Sequence, residues 1–258
     1  MGNSTPVFWV RDSIKFVDLV HSRKKDPRTN LKNPNYLWDF IANSWESTHQ
    51  NVINFSDRGT PVGFRHMHEY GTHAFRWENK DGDVYWVKIH IRTLSGIKNF
   101  TDSEAKAHFK DPDFAFRDFV RHIDEGKTAE WELCFQAVPE AKVPNYKWNI
   151  LDPTKVVSQQ DYPLIKVGKI VLNRNSENYF ADSEQAAFSP GNFIPGMGPT
   201  PDRILQGRLF SYPDAHRHRL GPNFEQISIN CPFRVKVANG IRDGNMTVNG
   251  NQGRKVEI

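Results

Sequence analysis

Arg208, Tyr212 and His216 recur at four-residue spacing, and Arg219 follows three residues later. In an α-helix those steps lay all four side chains along one stripe. The stripe joins a phenol to a guanidinium one turn away. A free tyrosine keeps its proton up to a pKa of about 10 and is a poor metal ligand at neutral pH. A nearby guanidinium favours the phenolate by direct charge attraction. An anionic, hard oxygen of this kind suits ferric iron. By spacing alone, an ordinary surface helix with scattered polar side chains explains the pattern better, because stripes without a function are common.

The element that must carry the stripe begins near Asp202, an acceptable N-cap, and runs through Arg219. Pro213 removes the amide that would bond the carbonyl of Leu209, so a kink is expected just after Tyr212. The segment before it, Ser189 to Asp202, holds four prolines and three glycines without periodicity. It reads as an extended, wrapping connection. Upstream, His73 to Trp77 and Val84 to Ile91 flank an Asp81-Gly82 turn signal and predict a β-hairpin. Tyr85, Val87, Ile89 and Ile91 share one face of its second arm. Further strands are expected at Thr5–Arg11, Val52–Phe55, Trp131–Val138 and Val167–Leu172. A helix is expected from about Phe114 to Glu125, stopped by Gly126.

A chain of 258 residues is long enough to bury roughly 70–75% of its unfolded surface. Its 38% hydrophobic and 25% charged residues read as a soluble globular protein. The formal charge of +4 is too small and too dispersed to indicate a nucleic-acid partner. The densest basic run, Arg23-Lys24-Lys25, lacks interleaved aromatics and reads as a solvated loop. Cys134 and Cys231 are too few and too far apart for a disulfide framework or a zinc site. No apolar run is long enough to span a membrane, and no signal peptide is visible. The ending Lys255-Val256-Glu257-Ile258 is no peroxisomal signal, so a cytoplasmic or peroxisomal location stays open.

Arg208-Leu209-Phe210-Ser211-Tyr212-Pro213-Asp214-Ala215-His216 resembles the proximal haem-ligand signature of monofunctional haem catalases. Other stretches are similar to the same family: Thr5-Pro6-Val7-Phe8, Asp26-Pro27-Arg28-Thr29-Asn30-Leu31, Ser56-Asp57-Arg58-Gly59, Asp161-Tyr162-Pro163-Leu164 and Asn178-Tyr179-Phe180-Ala181. The similarity extends from Gly2 to about Gly253. It implies an α+β fold. Residues 1–175 would form a partial antiparallel β-barrel of catalase type lacking its N-terminal strands. Residues 176–258 would form an extended wrapping segment and the proximal haem helix.

The resemblance implies a cofactor, haem b, and a reaction, the disproportionation of hydrogen peroxide to water and dioxygen. It implies Tyr212 as the iron ligand, with Arg208 against its oxygen. Asp202 and His73 would form a charge relay with Arg208. Arg219 would pair a haem propionate, and His216 lies on the same haem-facing stripe. Phe8, Phe16 and Phe188 would pack on or near the porphyrin, where ordinary core packing is the plainer alternative for each. Asn3 looks like the distal asparagine that hydrogen-bonds peroxide.

The chain departs from the family pattern in places. The family's distal histidine lies upstream of the position of Asn3, so the chain reads as truncated at both ends. Loss of such an acid–base group typically costs roughly 10²–10⁴ in rate. A non-catalytic haem-binding scaffold and a Tyr-ligated enzyme acting on organic hydroperoxides are the alternatives. His49 and Arg58 match the family's NADPH site, but Val157 and Gln159 stand where Trp and His are usual, and His68 and Arg92 also look like replacements. NADPH is therefore expected to bind weakly or not at all. A homo-oligomer is in keeping with the family.

Overall fold

The computed structural model describes residues 3–231. Among the described residues, six α-helices and six strands alternate irregularly. They are α1 (Ser13–His21), α2 (Pro34–Asn43), α3 (Thr48–Phe55), β1 (Glu69–Tyr70), β2 (Phe75–Glu78), β3 (Val84–Thr93), α4 (Asp102–His108), α5 (Phe114–Asp124), β4 (Ala129–Pro139), β5 (Ile165–Leu172), β6 (Met197–Pro199) and α6 (Arg203–Leu220). The fold is α+β. The strands form one antiparallel sheet in the order β5-β4-β3-β2-β6, with β1 also on β3, and among the described residues it does not close on itself. An open antiparallel sheet is what the expected partial barrel requires.

Two compact units divide the chain. The first is Met1–Asn175 with Ser189–Ser211, and the second is Ser176–Phe188 with the chain from Tyr212 onward. Helix α6 contributes residues to both.

The β2–β3 hairpin forms as its sequence predicts. Asn79 Oδ1 accepts the amides of Asp81 and Asp83, and Gly82 takes a φ of 85° that glycine adopts without strain. Strands β4 and β5 and helix α5 also lie where expected, and Gly126 ends α5 at a φ of 77°.

Three expectations are corrected. Thr5–Arg11 forms no strand. Val7 and Val10 are fully buried there, and the amide of Phe8 bonds the carbonyl of Pro153 at 2.9 Å, so tertiary packing holds the stretch instead of a ladder. Val52–Phe55 is the last turn of α3, whose neighbour Asn51 is buried and accepts the indole N–H of Trp9 at 3.2 Å. Burial of its polar face overrides the β-branched signal. In the wrapping segment, Met197–Pro199 pairs with Phe75–Trp77 as β6. A proline is tolerated there because β6 ends the sheet's strand order and needs a ladder on one side only.

In the first unit, Val10, Leu19 and Ile204 form a core cluster that Phe8, Trp9 and Phe40 flank. It ties the N-terminal stretch and α1 to the start of α6. The joint is tight. Ser13 Oγ donates to the carbonyl of Arg203 at 2.6 Å, and a Cβ on Gly207 would lie 2.3 Å from Ser13 Oγ. Gly207→Ala is therefore expected to destabilise the chain by about 1–3 kcal/mol through overpacking. Urea unfolding checks this, and Ser13→Gly in the same chain should recover part of the loss. Full stability of Gly207→Ala alone would contradict the close approach.

Candidate functional site

Asp202 has two jobs at the start of α6. Its Oδ1 accepts the amides of Ile204 at 2.9 Å and Leu205 at 3.2 Å, the role expected of an N-cap. Its Oδ2 meets His73 Nδ1 at 2.6 Å. Both side chains are nearly sealed from solvent, with 3% of His73 and 1% of Asp202 exposed. Burial, partly opposed by the Asp202 carboxylate, pushes the His73 pKa below its usual value, and the charges of Arg208 and Lys88 push it the same way. The ring is thus neutral at neutral pH and donates from Nδ1. The partners are 129 residues apart in sequence.

The residue before His73 carries an unusual backbone. Thr72 has a φ of 60°, rare for a β-branched side chain. Its hydroxyl accepts from Asn3 Nδ2 at 2.8 Å, and its carbonyl accepts from Lys88 Nζ at 2.9 Å. The backbone of Asn3 is also bridged to Tyr70 in both directions. Asn3, Thr72 and His73 are therefore one connected group in the first unit. Phe8 and Phe16 stack there, with centroids 6.0 Å apart and planes 26° apart, and part of the Phe16 face is exposed. Arg208 lies on α6, half-buried.

The second unit holds Tyr212, His216, Arg219 and Phe188. Tyr212 is half-buried, and its ring lies edge-on to the buried ring of His216 at 6.0 Å. His216 Nε2 donates to the carbonyl of Phe188 at 2.7 Å, and Arg219 Nη2 lies 3.2 Å from His216 Nδ1. That pairing makes Nδ1 the acceptor and places the ring proton on Nε2. The Arg219 guanidinium also donates to the carbonyls of Glu184 and Ala186. His216 and Arg219 thus brace the 184–188 segment, and the Phe188 ring stands out from it, 68% exposed.

The donor set fits a haem. Among the described residues no cluster of three His, Cys, Asp or Glu side chains is placed to hold a metal ion by itself. A metal held by this chain would therefore need a donor set completed by a bound group, and a haem is such a group. Phe16 is 40% exposed and Phe188 68% exposed, and exposed aromatic rings can pack on flat aromatic partners.

Two further residues escaped the sequence reading. Lys88 and His90 lie on the face of β3 opposite Val87, yet they are buried too. Alternation of polar and apolar residues signals a solvated face, and nothing local reveals that other chain covers it. His90 Nε2 pairs with Gln136 Oε1 at 2.8 Å, while its Nδ1 is buried with no hydrogen-bond partner among the described residues.

Burial, aided by the charges of Lys88 and Arg92 and opposed by Gln136, holds the His90 pKa down to about 4. The unfolded chain protonates the same ring near pH ~6.5. Between those values the unfolded state binds more protons, so stability is present above pH ~6.5 and falls as the pH drops toward 4. His90 contributes on the order of 3 kcal/mol to that loss, at about 1.4 kcal/mol per pH unit. Urea unfolding at a series of pH values should show His90→Gln flattening the acid slope by roughly one proton. An unchanged slope would contradict the buried neutral ring. His68 is shifted the same way, to about 4, by burial first and then by Arg92, Arg58 and His90.

The family model described as Catalase matches residues 1–258. Catalase-A of Dictyostelium discoideum is 52% identical over 257 residues, covering 98% of this chain and 52% of that protein. The peroxisomal catalase of Toxoplasma gondii is 49% identical, covering 99% of this chain and 51% of that one. Catalase A from Saccharomyces cerevisiae superimposes with a TM-score of 0.87 at 46% identity, covering 98% of this chain and 52% of that one. The chain thus spans about half the length of the relatives it matches. On sequence and fold together, the chain belongs to the catalase family.

Proposed function

We propose that this chain binds haem b through Tyr212 and decomposes hydrogen peroxide to water and dioxygen. The observation that carries the reading is α6 itself. It sets a phenol one turn after a guanidinium and is capped by a carboxylate that a buried histidine holds at 2.6 Å. The bound haem supplies the redox chemistry by which one peroxide is reduced and a second is oxidised. The protein's part is to hold, orient and exclude water.

Tyr212 supplies the anionic oxygen donor. Arg208 is assigned beside that oxygen, with Asp202 and His73 as its relay, and neutral His73 fixes the carboxylate that caps α6. Phe8, Phe16 and Phe188 supply ring faces for the macrocycle. Arg219 and His216 hold the segment that presents Phe188, and Arg219 takes a propionate. The Asn3 amide has two N–H groups. One bonds Thr72, and the second is assigned to the peroxide oxygen.

NADPH has little part in this reading, because Val157 is buried in a core cluster with Ala74, Val138 and Ile150. Among the described residues no helix is long and apolar enough to cross a membrane. A cytoplasmic or peroxisomal location fits, as for the relative named a peroxisomal catalase. A homo-oligomer is part of the same reading.

The test is oxygen release from hydrogen peroxide by the haem-loaded chain at an oxygen electrode. Haem uptake with oxygen release is the expected result. Haem uptake without oxygen release, together with turnover of a lipid hydroperoxide, would replace it with the organic-hydroperoxide reading. Haem uptake with neither activity would leave a non-catalytic haem-binding scaffold.

A further inference from the structure

Thr72 is strained, and the roles assigned so far do not account for it. The amide of His73 donates to the carbonyl of Gly71 at 2.6 Å, which closes a three-residue turn on Thr72 at a φ of 60°. A γ-turn with positive φ is the rare, strained kind. Such a conformation persists only where the surroundings over-determine it. The turn is pressed against β3, where the amide of Gly71 bonds the carbonyl of Ile89 at 2.8 Å. A Cβ on Gly71 would lie 3.1 Å from the Ile89 Cβ, so glycine suits that close approach.

Two side chains grip Thr72 from different elements. Asn3 holds its hydroxyl, and Lys88 of β3 holds its carbonyl. Lys88 is 7% exposed, and burying an ammonium is costly unless the group is paired. Burial lowers its pKa to about 8, while the charges of Asp202 and Asp152 oppose that shift. Asp202 is the carboxylate that holds His73. One ammonium therefore acts on the carbonyl of the strained turn and on the anion that orients the next residue. A methionine would fill the same space without the desolvation cost, but it would grip nothing.

We propose that Lys88 is a positioning residue: by gripping the strained Thr72 turn it fixes the Asn3 amide and the His73–Asp202 pair relative to one another. Its functional consequence rests on the haem reading above, but its structural part does not.

Two measurements separate these parts. The first is thermal unfolding of the haem-free chain in a double-mutant cycle of Lys88→Met and Thr72→Gly. Glycine adopts positive φ without strain, so the grip matters less in its presence. Lys88→Met is expected to lower Tm by at least about 3 °C more in the wild-type chain than in the Thr72→Gly background. Equal losses in both backgrounds would overturn the proposal. So would a Lys88→Met, Thr72→Gly chain that fails to fold, because Lys88 would then support more than the turn.

The second measurement titrates azide against haem-loaded protein by absorption, with Lys88→Met, Asn3→Ala and the double variant. Each single variant is expected to weaken azide about tenfold, the loss of about one hydrogen bond to an anion. The double variant should be no weaker than Asn3→Ala. Additive losses, or Lys88→Met within about twofold of wild type, would overturn the proposal. If the wild-type chain takes up no haem, the function fails, and the unfolding cycle alone decides the grip.

Discussion

Tyr212→Phe is expected to lose haem at least about a hundredfold more readily than the wild-type chain, and its oxygen release from peroxide should fall to background. Changes to groups that only support a metal ligand typically cost 10–100-fold in affinity, so removing the proposed ligand should exceed that range. A phenylalanine keeps the ring that meets His216 edge-on at 6.0 Å, and that packing keeps the second unit intact. His216 and Arg219 keep their own bonds to Phe188, Glu184 and Ala186. Loss of haem from a chain that still folds cooperatively is therefore the expected signature. The check is the ferric absorption spectrum of both chains after reconstitution, beside an oxygen electrode trace. A spectrum that the substitution leaves untouched would show that the iron is held elsewhere.

The second large effect is expected at Asp202. In Asp202→Ala the amides of Ile204 and Leu205 lose their acceptor, at a cost of about 1 kcal/mol. His73 loses its partner while buried, and an unsatisfied group of that kind costs about 1–3 kcal/mol. Lys88 also loses one of the two carboxylates that favour its charge. Together these predict a loss of about 3 kcal/mol and a fall in Tm of roughly 10 °C. Asp202→Asn should be milder. Its carbonyl oxygen still caps the helix, and its amide faces His73, whose ring must change tautomer to accept. Thermal unfolding of the two variants beside wild type checks the order. A melting temperature of Asp202→Ala within about 2 °C of wild type would mean that the pair contributes little to the fold.

Sequence and structure agree wherever local chemistry settles the conformation. The Asp81-Gly82 turn, the glycine stop after α5 and the carboxylate cap of α6 involve residues within a few positions of one another, so composition and spacing are enough to reveal them. The stretch at Thr5–Arg11 misled because aromatic and β-branched residues suit any buried extended chain, paired or not. Val52–Phe55 misled because β-branched residues are only mildly unfavourable in a helix, and packing of α3 outweighs that preference. The pairing of Met197–Pro199 with β2 was hidden because its partner lies about 120 residues away. Lys88 and His90 were hidden for the same kind of reason, since distant segments cover what looks like a solvent face.

The order of residues alone determined that one helix would carry Arg208, Tyr212, His216 and Arg219 on a common stripe, because helical spacing is a local property. It also established the family, because many separated matches cannot recur together by accident. The family resemblance already paired Asp202 with His73, but only the tertiary structure decided that Lys88 would reach the carbonyl of Thr72 and that Thr72 would be held at positive φ. Those outcomes depend on burial and on contacts between segments far apart in the chain. Such contacts strengthen charge and hydrogen bonding by excluding water, and no local pattern records where water will be excluded.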